Sequence, residues 1–353
     1  MRSLLLLRVG CCLSDLNDNH YRIGLSTIIF IIYKISIIAY NSLKIQVSIF
    51  MSKPSIHVAI ALLLYRGKVL VGWRNADQHQ GNKYEFPGGK IEAGETPVEA
   101  CRREIFEEVG IGIQQWHAFD VIHHVYDDVE VFLHLFHATV PEQYLHDIQK
   151  PWTWYGRDQL FALNFPKANQ AIIQRLYWAH QIKISDNLSA LSIEKSLDDN
   201  AQFFYFRTTA DQVAVTQISQ LAANALSRLI VNIELWQQLP EYLQKSIAAV
   251  HYKQHQLMDL HIGQLPIGLR CIAACHDLVS LQRAQSLGFD AVMLSPVFAT
   301  QTHPEANALG WEKFAEYAKT CDLPVFALGG LSQADLAIAQ QHYAYGIAGI
   351  RNF

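Results

Sequence analysis

The sequence predicts an α/β chain of two bodies in series. A three-layer α/β/α sandwich with a mixed sheet spans residues 51–178, and a parallel (β/α)8 barrel spans residues 180–353. Three observations carry this. Up to residue 178, strand-like runs surround one sharply capped helix and end in a second helix. Beyond it the period changes, and eight short apolar segments alternate with helical stretches, as in a parallel sheet closed on itself. Residues 1–50 differ in composition from both. The chain has 353 residues, half of them hydrophobic and 17% charged, enough for two or three domains with buried cores.

The formal net charge of −4 argues against broad nucleic-acid binding, which wants a basic face. Six cysteines (Cys11, Cys12, Cys101, Cys271, Cys275 and Cys321) form no CxxC pair, which points to reduced thiols in a cytoplasmic protein. Within the first fifty residues, IGLSTIIFIIYKISIIAY from Ile23 to Tyr40 is apolar and β-branched, with Lys34 in its middle. Its uninterrupted run falls short of the roughly 20 residues that a membrane span needs. No small-residue cleavage site follows it, as a signal peptide would require. Three readings stand: a biological start at Met51, a membrane anchor, or a folded extension. A compact domain opens right after Met51, and no membrane partner is expected of it.

In chain order, His57–Tyr65 reads as a buried strand and Lys68–Arg74 as its partner, with Arg66-Gly67 as the turn between them. A loop punctuated by Gly88, Gly89 and Gly94 follows. Thr96 is placed as a helix N-cap, Pro97 as the first helical residue and Glu99 as the far side of a capping box. The helix runs to Val109, and Gly110 stands where a C′ glycine belongs. IGIQQWHAFDVIHHVY and VEVFLHLFHATV form a hairpin turning at Asp127-Asp128; WTWY is a short strand, and a helix from about Ala168 closes the body. His123, His124, His134 and His137 lie on strands without a ligand pattern and read as ordinary strand histidines.

The chemistry concentrates on the capped helix. Glu104, Glu107 and Glu108 are spaced i, i+3, i+4, so three carboxylates share one face. Like charges this close are best tolerated around a cation, and hard carboxylate oxygens suit Mg²⁺ or Mn²⁺ bridging to substrate phosphates. The run from Gly89 to Ile111 resembles the Nudix box, G-x5-E-x7-R-E-U-x-E-E-x-G-U with U aliphatic. Gly89, Glu95, Arg103, Glu104, Ile105, Glu107, Glu108, Gly110 and Ile111 fill every fixed position. The resemblance implies a metal-dependent hydrolase of a nucleoside diphosphate linked to another moiety. By it, Glu104, Glu107 and Glu108 carry metal with the backbone carbonyl of Gly88, Arg103 orients a carboxylate, and Glu95 braces the loop.

Around the box, WRNADQHQGNKYEFPGGKIEAGETP resembles the MutT type of this family, which hydrolyses oxidised guanine nucleoside triphosphates. The likeness includes Arg74, His79, Asn82, Glu85, Phe86 and Pro87. It implies that Arg74 and His79 meet the phosphate-bearing part of the nucleotide, that Glu85 and Pro87 belong to the same substrate site, and that Phe86 contacts the base. NFPKAN, with Asn169, resembles the MutT segment whose Asn reads the oxidised purine. An amide donates and accepts together, so it can test a purine edge; a plain helix N-cap is the alternative. Where some MutT-type enzymes carry an acidic residue before the tryptophan of the late strand, this chain has Thr153 before Trp154. A box glutamate or water activated by the metal is then left as the base.

In the second body the eight segments are IKIS, FFYFR, LIVNI, AAVHY, CIAAC, AVMLS, VFALGG and GIAGI. About 170 residues is small for a TIM-type barrel, and no helix follows the eighth segment. From FFYFRTT onward this body resembles thiamine-phosphate synthase and its TenI-like relatives. Gly329 and Gly330 follow the seventh strand, where such barrels bind phosphate through backbone N–H groups, and Thr300 and Thr302 belong to the same mouth. The pattern departs where Thr208 and Thr209 follow Arg207 in place of a nearby lysine, where VNIELW offers Glu234 alone as an acid, and where His303 replaces a loop lysine. Weak or absent synthase activity is expected. The overall expectation is hydrolysis of 8-oxo-dGTP to the monophosphate and pyrophosphate, which cleanses the nucleotide pool of mutagenic precursors. Two alternatives stand beside it. One is hydrolysis of a thiamine-pathway pyrophosphate coupled to the barrel; the other is a barrel that binds a thiamine-phosphate-like ligand and regulates the hydrolase.

Overall fold

The computed structural model describes residues 30–40, 53–76, 81–191, 193, 202–299, 307–351 and 353. It divides into two compact units, Met1–Pro54 and Ser55–Phe353. In the first, residues 30–40 form a helix exposed along its whole length. Among the described residues no helix is long and apolar enough to cross a membrane.

The second unit begins with a mixed sheet. Its strands are β1 (Ser55–Tyr65), β2 (Lys68–Arg74), β3 (Lys83–Glu85), β4 (Gly88–Lys90), β5 (His117–Val125), β6 (Glu130–Thr139) and β7 (Thr153–Gly156). The path is β3-β2-β1-β6-β5, with β4 also on β1 and β7 also on β2. β1 runs parallel to β6, from Ser55 opposite Glu130 to Leu64 opposite Thr139, and antiparallel to β2. Helix α1 (Pro97–Glu108) covers one face and α2 (Gln170–Leu176) the other. Ala59, Ala61 and Leu63 of β1 join Ala100, Cys101 and Ile105 of α1 in one apolar cluster. The alternate residues Ile60, Leu62 and Leu64 join Ile172, Ile173 and Leu176 of α2 in another. Burial on both faces is why this strand reads as an unbroken apolar run. The expected three-layer sandwich is thus present.

Eight parallel strands follow: β8 (Gln181–Ser185), β9 (Gln202–Phe206), β10 (Leu229–Asn232), β11 (Ala249–Tyr252), β12 (Arg270–Cys275), β13 (Ala291–Leu294), β14 (Val325–Leu328) and β15 (Gly346–Gly349). They close through β15 and β8, with Ala348 opposite Ile182. Side chains alternate across the wall. Ile182, Phe203, Tyr205, Ile230, Met293 and Phe326 pack in one cluster inside, while Phe204, Phe206 and Val231 pack outward. This is the expected barrel.

The join between sandwich and barrel is packed interior. Tyr177, Trp178, Ala179 and His180 alone separate α2 from β8. Trp178 is fully buried, edge-on to Phe203 at 5.5 Å and to Phe326 at 5.9 Å, and its carbonyl accepts the Tyr345 hydroxyl at 2.6 Å. It lies just before the first strand and so closes the barrel at the N-terminal ends of the strands. Three arginines stitch the seam. Arg175 donates to Phe119 O, Asp120 Oδ2 and Leu269 O at 3.1, 3.2 and 2.8 Å. Arg270 donates to Arg175 O and Ala248 O at 2.9 and 3.1 Å and lies over the Trp178 ring. Arg157 reaches Gly67 O at 3.3 Å and Leu176 O at 3.0 Å. The β1–β2 turn docks as well. Arg66 and Gly67 both have positive φ, 46° and 73°, as a two-residue primed hairpin turn requires. Their backbone N–H groups reach Asp322 Oδ1 and Asp322 O, each at 2.9 Å.

Candidate active site

Helix α1 starts where its sequence says it should. Thr96 is the N-cap; its backbone N–H donates to Glu99 Oε2 at 2.8 Å, and Glu99 N–H donates back to Thr96 Oγ1 at 3.4 Å. Gly110, at φ 82°, ends the helix, and its N–H reaches Ile105 O at 3.2 Å. With Ala100, Cys101 and Ile105 buried on the sheet, Arg103, Glu104, Glu107 and Glu108 are left on the outer side.

Two glycines that the sequence reads as loop instead form strand β4, and they let that strand lie against these carboxylates. Gly88 has φ 146°, and a Cβ there would stand 2.2 Å from Ala59 O. A Cβ on Gly89 would stand 2.2 Å from Glu104 Oε1. Only a bare backbone fits both positions. The Gly88 N–H donates to Glu108 Oε2 at 3.0 Å, and the Trp152 indole N–H holds the helix end through Glu108 O at 2.9 Å.

Arg103 is the hub. Its Nε and Nη2 grip Glu95 Oε1 and Oε2 at 2.8 and 3.0 Å, a two-pronged pairing. Nη1 holds Glu104 Oε1 at 2.7 Å and Glu107 Oε2 at 3.4 Å, and Nη2 also reaches Lys90 O at 3.1 Å. The guanidinium holds the Glu95 pKa down at about 2. Glu108 behaves oppositely. Crowding of its carboxyl by protein, with Glu85 and Glu104 nearby, pushes its pKa up to about 7 against the Gly88 hydrogen bond and Arg74. Burial is the larger cause and the neighbouring carboxylates add to it, and a divalent cation would favour the charged form against both. The hard oxygens of Glu104, Glu107 and Glu108 fit such an ion. Among the described residues no three metal-binding side chains already converge on one point, and Arg103 holds two of these three.

The expected substrate residues fall around this face. Arg74 pairs with Glu85 across β2 and β3, with Nε 2.8 Å from Oε2. Pro87 is buried, and its carbonyl accepts Ala61 N–H at 2.9 Å. Phe86 is 5% exposed and stacks on Phe165, centroids 5.0 Å apart. Asn164 O accepts Tyr84 N–H at 3.0 Å, and Asn164 Nδ2 donates to Asn82 O at 3.1 Å, pinning the 164–169 segment to β3. Asn169 ends a 3-10 turn at the head of α2, buried, with no side-chain hydrogen bond to the helix it precedes. His79 lies outside the described residues. Phe165 and Trp152 carry positions that the residue pattern did not single out; the aromatic runs NFPKAN and PWTWY hold the only signal for them.

At the barrel mouth a cavity of about 510 Å³ is lined by Asp186, Arg207, Thr208, Asn232, Glu234 and Lys253 among others. Lys253 Nζ stands 2.9 Å from Glu234 Oε1. Gly329 and Gly330 have positive φ, 111° and 70°, and Gly329 O accepts Phe298 N–H at 3.1 Å. Thr300, Thr302 and His303 lie outside the described residues.

Comparison with known proteins agrees with both halves. The NUDIX domain family matches residues 59–175, and the family described as thiamine monophosphate synthase matches residues 191–353. The chain is 38% identical over 111 residues to the 8-oxo-dGTP diphosphatase of Escherichia coli (strain K12), covering 31% of this chain and 85% of that protein. It is 36% identical over 90 residues to the 8-oxo-dGTP diphosphatase of Proteus vulgaris, covering 25% of this chain and 80% of that one. Its later part is 37% identical over 71 residues to the thiamine-phosphate synthase of Prochlorococcus marinus (strain MIT 9303), 20% of each chain. With its helix, loop and acidic face in place, the chain belongs to the NUDIX domain family of pyrophosphate-bond hydrolases, with a thiamine monophosphate synthase-like barrel fused behind it.

Proposed function

We propose that the first domain hydrolyses 8-oxo-dGTP and similar oxidised purine nucleoside triphosphates to the monophosphate and pyrophosphate, with Mg²⁺ or Mn²⁺ on Glu104, Glu107 and Glu108. The observation that carries this is the acidic face of α1 held against the Gly88–Gly89 loop by Arg103. A divalent cation there supplies charge neutralisation and a lowered pKa for bound water. The protein's own part is positional. Arg103 fixes Glu104 and ties the helix to Glu95, Arg74 lies beside the cluster where phosphates would enter, and the Asn169 amide presents paired donor and acceptor groups to a purine edge. The 8-oxo-dGTP diphosphatases among the relatives support the choice of substrate. The test is a pyrophosphate-release screen over nucleotides and thiamine pyrophosphate with Mg²⁺. Fastest release from 8-oxo-dGTP is expected; preference for thiamine pyrophosphate would move the reading to the thiamine pathway.

For the barrel, the ion pair between Lys253 and Glu234 favours ligand binding over synthesis. It leaves the acid of VNIELW already neutralised by a lysine. Titration of the full chain with thiamine phosphate, and assay of synthase turnover alongside, tests this.

A further inference from the structure

The seam between sandwich and barrel holds a cavity of about 400 Å³, bounded by the β1–β2 turn, residues 156–158 and the closed end of the barrel. Its deepest charged group is Arg157, 2% exposed. Arg175 lies 3.2 Å from Asp120 and 3.8 Å from Asp290, and Asp290 sits close enough to both Arg270 and Arg157 to favour their charges. Arg157 makes no ion pair among the described residues. Its two hydrogen bonds, from Nε and Nη1, go to the carbonyls of Gly67 and Leu176, which leaves Nη2 without a protein partner. Burial already works against its charge. A buried cation with no carboxylate in contact is only partly compensated, and an anion that meets it completes the pairing.

The rest of the wall has the same sign. Lys68 and Lys319 line the cavity without a carboxylate partner, and Lys319 Nζ lies 4.6 Å from the Tyr343 ring centre. His180 also lines the cleft, with Nδ1 2.7 Å from Tyr345 O. Asp158 is the one carboxylate among the lining residues, and it is exposed. A guanidinium with one nitrogen still free to donate, together with two ammonium groups on the same wall, suits a tetrahedral oxyanion.

We propose that this cleft is a binding site for a phosphate-class anion, either inorganic or the phosphate end of a small ester, separate from the acidic face of α1. Because both halves of the second unit supply its wall, a bound anion holds the seam together, and occupancy raises the temperature of their joint unfolding.

The experiment uses the full chain in EDTA, which keeps divalent cations off the glutamates. Orthophosphate, pyrophosphate and dGMP are titrated separately by calorimetry, with the melting temperature followed in parallel. Saturable binding of at least one is expected, with a rise in melting temperature; the arm that binds tightest distinguishes a free anion from a phosphate ester. The double variant Lys68→Glu/Lys319→Glu changes only exposed side chains, so its fold is retained. It should weaken that binding at least tenfold and leave the hydrolase kcat unchanged. Arg157→Lys, which keeps charge but loses the Nη2 donor, should weaken it as well. Absence of saturable binding, unchanged affinity in the lysine double variant, or binding abolished by Glu107→Gln instead would each overturn the site.

Discussion

Glu108 Oε2 accepts the backbone N–H of Gly88 at 3.0 Å, which makes the last turn of the acidic helix and the glycine loop a single piece. Glu108→Gln keeps an acceptor for that N–H, and Glu107→Gln keeps the shape of an exposed side chain. Both should fold normally, and each should lower kcat by at least about a hundredfold, because the proposed metal site would lose a charge. Steady-state kinetics with melting curves checks this; near-normal turnover in both would sink the metal assignment.

Gly89→Ala asks whether the loop must touch the helix. The new methyl would stand 2.2 Å from Glu104 Oε1, so Glu104 or the loop has to shift. A displacement near 1 Å at a reacting centre costs on the order of a hundredfold in rate. Loss of that size is expected with secondary structure retained by circular dichroism.

Asn169→Ala addresses base selection. On the proposed reading, loss of the amide would leave polar groups of the purine unpaired, at roughly 1–3 kcal/mol. The KM for 8-oxo-dGTP should rise, its advantage over dGTP should narrow, and kcat should change less. The measurement is kcat/KM for both nucleotides. An unchanged ratio would assign base reading to the Phe86–Phe165 wall.

His137 sets an acid limit on stability. It is 5% exposed, and burial, with His117, Arg157 and Arg175 near, holds its pKa down at about 3. The unfolded chain therefore binds the extra proton first as pH falls below about 6.5. Stability is complete above that pH and is lost progressively down to about pH 3. At pH 5 one such histidine costs about 2 kcal/mol. His137→Gln should flatten the fall in melting temperature between pH 7 and pH 5.

Arg175→Met tests the seam. Removal of the guanidinium takes one cationic partner from Asp120 and from the nearly buried Asp290, which keeps the Cys271 N–H, and frees the carbonyls of Phe119 and Leu269. A loss of roughly 1–3 kcal/mol is expected, as for buried acceptors left unpaired. Because the residue ties both halves, calorimetry of the wild type should show sandwich and barrel melting together, and the variant should lower or split that transition.

The box helix was legible in the sequence because its cap, its glycines and its carboxylates are encoded within two dozen consecutive residues. The barrel strands were legible because inward and outward side chains alternate in short apolar runs. The seam was not. Arg175 meets Leu269 and Asp290, and Arg66 meets Asp322; such pairs leave no local signature. His137 looked like any strand histidine, since its burial depends on what the barrel lays against β6. Asn169 was open between a cap and a reader of bases, and only three-dimensional placement takes away the capping bond.

The Trp178 plug bears on whether the two halves can work as a relay. Among the described residues, Trp178, Phe203 and Phe326 pack across the barrel's base and block the axial route to the rim at Arg207. A molecule released at the acidic helix has to travel around the outside, through open water. It mixes with the surrounding pool on the way, so an unlabelled competitor added to the medium would trap it before the rim did.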